Sequence, residues 1–266
     1  MKKNIFSVLA LCLAMPVASG CGGGTSEAGA DGAADADDVV ASTLQHEGDS
    51  TIYGLACDGC TDTILVFLSS IGGDPDTLNV LEATRRHRVF GRPSIGDKLA
   101  VMRNAADTTV ADLVINMETL RGSWFYEVMP TLRPRPDLGD LTQAQLLRLM
   151  PDTLRDSLVV PREYGMQIRG EGRVSFAGKF YPHGQDDDSP VEYPQRRSYR
   201  QWFVYNGRLV LVETQRDSLG QERPTATDTA VLVALTPDTL VLRFTDRQQG
   251  YYRQSHLEAT GTDERK

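Results

Sequence analysis

Two dipeptides, Asp58-Gly59 and Asn206-Gly207, restrict this chain more than anything else in it. Each stands between runs rich in β-branched, aromatic and aliphatic residues, and both pairs accept the positive φ angles of a tight hairpin turn. The runs "TIYGLAC" and "TDTILVFL" flank the first pair, and "RSYRQWFVY" and "RLVLVETQ" flank the second. A chain punctuated in this way folds as antiparallel sheet. The expected class is therefore mainly β.

Counting runs divides the chain. Between residues 51 and 118, "DTLNVLEAT", "RHRVF", "DKLAVMR" and "TVADLVINM" follow the first hairpin. About six short strands in that length predict a small closed or half-closed barrel of SH3-like or OB-like form. The second part, residues 119–258, is entered through "METLRGSWFYEVMP" at 117–130 and has a helical insert at about 140–159, with Asp140 as its cap and Gln143 as capping-box partner, and Pro151 interrupting it. The runs "EYGMQIRG", "RVSFAGKFY", "RSYRQWFVY", "RLVLVETQ", "TAVLVAL", "TLVLRFT" and "GYYRQSH" follow. With the run at Trp124 these make eight strands in a meander, the smallest barrel able to hold a ligand. "PDTL" occurs at Pro75, Pro151 and Pro237 and is turn and cap chemistry rather than a repeat. Residues 259–266 read as a disordered tail.

The amino-terminal end carries an address. Lys2 and Lys3 precede a short apolar run from Ile5 to Met15, and Ala18-Ser19-Gly20 leads into Cys21. This stretch resembles the lipobox of bacterial lipoproteins, with Ala18 where Leu or Val is usual. The resemblance implies removal of residues 1–20 and acylation of Cys21, which becomes the membrane anchor. Residues 22–50 contain seven acids and no Lys or Arg, among Gly, Ala and Ser, and read as a flexible tether. Acidic stretches near the acylated Cys are similar to surface-export signals of Gram-negative lipoproteins. The expected location is the cell envelope, anchored to the outer membrane, with the face undecided.

Charge closes one class of function. The chain carries −8; its first fifty residues hold seven acids and two lysines, so the remainder has 29 acids against 26 bases, or −3. No basic stripe offsets phosphate, and nucleic acid is not an expected partner.

"LRGSW", with Gly122 and Trp124, resembles the Gly-x-Trp that opens the first barrel strand of lipocalins, although the family's middle motif is absent. The resemblance implies that Trp124 plugs the closed end of the barrel against an arginine near the last strand, Arg243 or Arg253. It extends to two-part, lipocalin-like outer-membrane lipoproteins of anaerobic Gram-negative bacteria. It implies a fold and an address rather than a reaction.

Chemical motifs are few. Cys57 and Cys60 are the cysteines left beside Cys12 and Cys21, and the β-branched residues after them exclude the helix that activates a redox CxxC. A structural disulfide or paired thiols across the turn is the first expectation, ahead of a metal half-site or a redox couple. His87 lies among Arg85, Arg86 and Arg88, which oppose a cation. His183 and Asp186, Asp187 and Asp188 lack the spacing of a calcium loop. No metal or cofactor is expected, nor a nucleophile motif. Tyr199, Gln201, Phe203 and Tyr205 alternate along one run and are the candidate ligand-lining face. The expected function is non-enzymatic binding of a small amphipathic or lipid-like ligand; the alternative is an envelope interaction or assembly protein with a packed core.

Overall fold

The computed structural model describes residues 46–133, 141–179 and 189–253. Cys21, His183, Asp186, Asp187, Asp188 and the 259–266 tail lie outside the described residues.

The first strands form one six-stranded sheet. They are β1 (Ile52–Ala56), β2 (Ile64–Ser69), β3 (Asp76–Asn79), β4 (Val89–Phe90), β5 (Lys98–Arg103) and β6 (Ala111–Asn116), in the order β3-β2-β1-β5-β6-β4. The sheet curls on itself, because Asn79 bridges Val110 in parallel and its N–H donates to the Thr109 carbonyl at 2.8 Å. The result is the half-closed barrel expected, and the parallel closure is of the OB kind. Its interior holds Leu65, Phe67, Leu78, Leu99, Val101 and Val114. One expectation needs correction: "LEAT" of the third run is not strand but the short helix α1 (Leu81–Arg85), which Ala83 seats against the barrel.

Helix α2 (Met117–Leu120) joins the two strand systems, capped by the Asn116 side chain, which accepts from the N–H groups of Glu118 and Thr119. The second sheet has eight strands. They are β7 (Gly122–Val128), β9 (Arg162–Ile168), β10 (Val174–Ala177), β12 (Tyr199–Tyr205), β13 (Arg208–Arg216), β14 (Glu222–Leu235), β15 (Thr239–Arg243) and β16 (Gln248–Tyr252). Neighbours run β10-β9-β7-β16-β15-β14-β13-β12, an up-and-down meander. The ends meet where Arg173 bridges Gln201 and the Trp202 N–H donates to the Gly172 carbonyl at 2.8 Å. Two strands outside the ring, β8 (Thr131–Leu132) and β11 (Val191–Glu192), pair with each other.

The insert forms two helices, α3 (Gln143–Leu149) and α4 (Asp152–Leu158), parted at Pro151. The cap of α3 is Thr142, boxed with Gln145, rather than Asp140 with Gln143. Asp140 itself falls outside the described residues. Thr142 wins because its hydroxyl accepts from the Gln145 N–H while the Gln145 amide oxygen accepts from the Thr142 N–H.

The two barrels share a core. The outer face of the first sheet contributes Phe90, Ala100, Leu113 and Ile115 to the cluster that also fills the second barrel. The Asn206-Gly207 turn is the other joint. Both residues have positive φ, 48° and 68°, as the dipeptide requires for a type I′ turn. Residues 47–50, read above as the end of the tether, are part of the fold at this joint. The Asp49 carboxylate accepts from the N–H groups of Thr51 at 2.9 Å and Asn206 at 2.8 Å. The Thr51 hydroxyl accepts from the Gly207 N–H at 3.1 Å.

Candidate functional site

The barrel interior is built in two levels. At the end beside α2, Trp124 is fully buried and its indole N–H donates to the Leu120 carbonyl at 2.8 Å. Met166, which pairs with Trp124 across the strands, packs in the same buried cluster with Ile168, Trp202, Leu211, Leu240 and Leu242.

The structure brings Trp124 together with Arg253 and leaves Arg243 out. The Arg253 guanidinium lies over the Trp124 ring, 4.4 Å from its centroid, and its Nη2 donates to the carbonyls of Thr119 and Arg121, both at 2.9 Å. Arg243 faces outward on β15. Gly122 is required beside this plug. Its φ is +136°, and a Cβ there would stand 3.1 Å from the Arg253 guanidinium carbon.

The upper level is aromatic. Tyr126 of β7 meets Tyr164 of β9 edge to face at 5.9 Å and Tyr251 of β16 at 5.1 Å. The Tyr199 hydroxyl donates to the Asp228 carboxylate, which Arg197 also approaches, at 3.7 Å. Arg247, in the β15–β16 turn, acts electrostatically on Tyr126, Tyr199 and Tyr251. Burial raises the phenols of Tyr126, Tyr164, Tyr199 and Tyr251 above the usual tyrosine value, further raised at Tyr199 by Asp228. All four therefore hold their protons at neutral pH and can donate. Tyr251 is 6% exposed, and neither its hydroxyl nor that of Tyr126 is hydrogen-bonded among the described residues.

The candidate face Tyr199, Gln201, Phe203 and Tyr205 does not exist as one face. A bulge between Tyr199 and Gln201 shifts the register against β13. Tyr199 stays inside, Gln201 turns out, and Trp202 and Val204 become the buried residues. Phe203 and Tyr205 lie on the other side with Gln201, half-buried; the Phe203 ring meets His46 at 4.1 Å and the Tyr205 hydroxyl reaches the Glu47 carbonyl. An extra residue reverses a two-residue period, and strict alternation cannot reveal it. The tyrosines of the true interior, Tyr126, Tyr164 and Tyr251, were visible only as single members of separate runs.

The two loop cysteines are free thiols, which corrects the expected disulfide between Cys57 and Cys60. The pairing of Ala56 with Phe67 sets Cys57 opposite Val66, so the cysteines sit in a connecting loop and not across the ladder. The Cys60 thiol instead points to the Cys57 carbonyl at 3.2 Å. His87 is exposed at the end of α1 with φ 53°. Among the described residues no group of His, Cys, Asp and Glu is arranged to hold a metal ion.

A further concavity lies elsewhere, between α1, the segment 89–97 and the 233–237 turn, with a volume of about 1080 Å³.

No family model matches the chain, and no curated protein matches it. Among solved structures it is similar to a lipocalin-like protein from Bacteroides thetaiotaomicron, at 18% identity, over 51% of this chain and 97% of that one, with a TM-score of 0.26.

Proposed function

We propose that this chain is an exported, lipid-anchored binding protein of the cell envelope, without catalytic activity. In this reading Cys21 carries the acyl anchor at the outer membrane, and the upper level of the eight-stranded barrel receives a small amphipathic or lipid-like ligand. The observation that carries it is the pair Tyr126 and Tyr251: two protonated phenols inside the barrel, under the field of Arg247, with no acceptor among the described residues. Neither hydroxyl is spent on a partner among the described residues, so each is free to donate, and a ligand oxygen would accept from both. The packed level around Trp124 and Trp202 limits the depth of entry, so the ligand's head group is held and its remainder faces the mouth.

Native mass spectrometry of the chain purified from membranes tests this. The expected result is a copurifying small molecule, retained by the parent protein and lost from Tyr251→Phe, together with acyl mass on Cys21. The packed lower level favours a second reading, an envelope interaction protein with no small-molecule ligand. An empty barrel in both proteins would support that one instead.

A further inference from the structure

The groove between the barrels has its own chemistry. Its floor comes from both cores: Leu65, Val80 and Val114 from the first, and Phe90 and Leu235 from the second. These side chains are all buried to within 6%, yet they line an opening of about 1080 Å³, at the upper end of the size that encloses small ligands. Such sites sit preferentially where two packed bodies meet.

The charges around it are unequal in their engagement. Of the acids on the wall, Asp97 is committed to the protein itself, accepting from the Asn116 amide at 2.6 Å and the Ser94 N–H at 2.8 Å. Glu118 is paired with Arg121 at 2.7 Å. The arginines on the wall are not neutralised in this way. Arg92 is exposed and, among the described residues, has no carboxylate within salt-bridge distance. Arg253 spends one nitrogen on two carbonyls, and its buried Nε has no acceptor. Asp62, beside Cys60, is the remaining open acid. An apolar floor beside one uncommitted guanidinium, Arg92, and a second, Arg253, that is held by two carbonyls and Trp124 but carries no carboxylate ion pair, is complementary to an apolar body ending in an anion.

We infer that this groove is a second binding site, for a small amphipathic anion whose head group meets Arg92 and Arg253 and whose apolar body lies on Phe90 and Leu235. It is separate from the tyrosine level of the barrel. Arg253 also covers Trp124, so occupancy is read by that indole, one of two tryptophans in the chain.

The test uses the whole chain with Cys21→Ser, to remove acylation, titrated with sodium decanoate by calorimetry and tryptophan fluorescence. Saturable binding with a change in emission is expected. Arg92→Gln should weaken it by about 10-fold or more, the ordinary effect of losing a charge-assisted hydrogen bond. Methyl decanoate, which lacks the anion, should bind at least about 10-fold more weakly than decanoate. Tyr251→Phe should leave both results unchanged. Equal affinity for the ester, or indifference to Arg92→Gln, overturns the inference. If decanoate binding responds to Tyr251→Phe alone, the groove reading fails while the barrel reading stands. If the groove results hold and no ligand is found in the barrel, the reverse is true.

Discussion

Replacing Asp49 by Ala removes the acceptor that holds the Asn206-Gly207 turn against the first barrel. Asp49 is 7% exposed and Thr51 is fully buried, so water does not take the carboxylate's place at the Thr51 N–H. Two backbone N–H groups, of Thr51 and Asn206, lose their acceptor. The Tyr53 hydroxyl, 3.0 Å from the carboxylate, keeps an alternative in the Val204 carbonyl at 2.7 Å and contributes little to the loss. The buried Thr51 N–H should cost about 1–3 kcal/mol and the part-buried Asn206 N–H, which water can reach, about 0.5–1 kcal/mol, so the variant should lose about 1.5–4 kcal/mol of stability. Asp49→Asn keeps a carbonyl oxygen in place and forgoes only the charge, so its cost should be about 1–2 kcal/mol. Urea unfolding followed by tryptophan fluorescence measures both, because Trp124 and Trp202 lie in the shared core. A loss below about 1 kcal/mol for the alanine variant, or equal losses for the two, would refute the reasoning.

Three further expectations follow from the same structure. Gly165→Ala places a Cβ 2.6 Å from the Phe125 ring and 2.7 Å from the Ala177 carbonyl oxygen; thermal unfolding should reveal a loss of about 1–3 kcal/mol. Asn206→Val forces a β-branched residue to φ 48° and should cost about 1–3 kcal/mol in the same assay, whereas Asn206→Gly tolerates the angle and loses only the side-chain contacts to Ser50 and the Gly48 carbonyl. The raised phenols of Tyr53, Tyr126, Tyr199 and Tyr251 give a pH dependence of definite sign. Their folded values exceed the ordinary 10.0, so the folded state retains protons that the unfolded chain releases. That stability is fully present below the unfolded value and disappears as pH rises through the folded ones. Tyrosinate absorbance from these residues should therefore appear together with unfolding, not before it.

The fold was legible in the sequence to the extent that it depends on local chemistry. Asn206-Gly207 forms its turn because only residues tolerant of positive φ fit there, and the eight runs of the second part are the eight strands of its ring. What escaped depends on partners distant in sequence. The bulge after Tyr199 is decided by the strand it pairs with, and it reverses the inward set to Trp202 and Val204. The choice of Arg253 over Arg243 rests on Arg243 falling on the outward face of β15 and on the Thr119 and Arg121 carbonyls that receive Arg253. The Asp58-Gly59 turn suggested a two-residue hairpin, but the Ala56–Phe67 pairing left a longer loop and separated the cysteines from the ladder. The tyrosine level needed three strands to be brought side by side before it existed.

The ring of eight strands is not evenly joined. Between β7 and β16 the register holds the single pair Phe125 and Tyr252, and beside β10 and β12 the join is the bridge of Arg173 with Gln201 and the hydrogen bond from the Trp202 N–H to the Gly172 carbonyl. The wall is thus two arcs, three strands facing five, fastened along two thin seams on opposite flanks. Swelling of the interior would be taken up by parting these arcs like the halves of a shell, so the girth available to a guest is governed by the seams more than by the side chains between them.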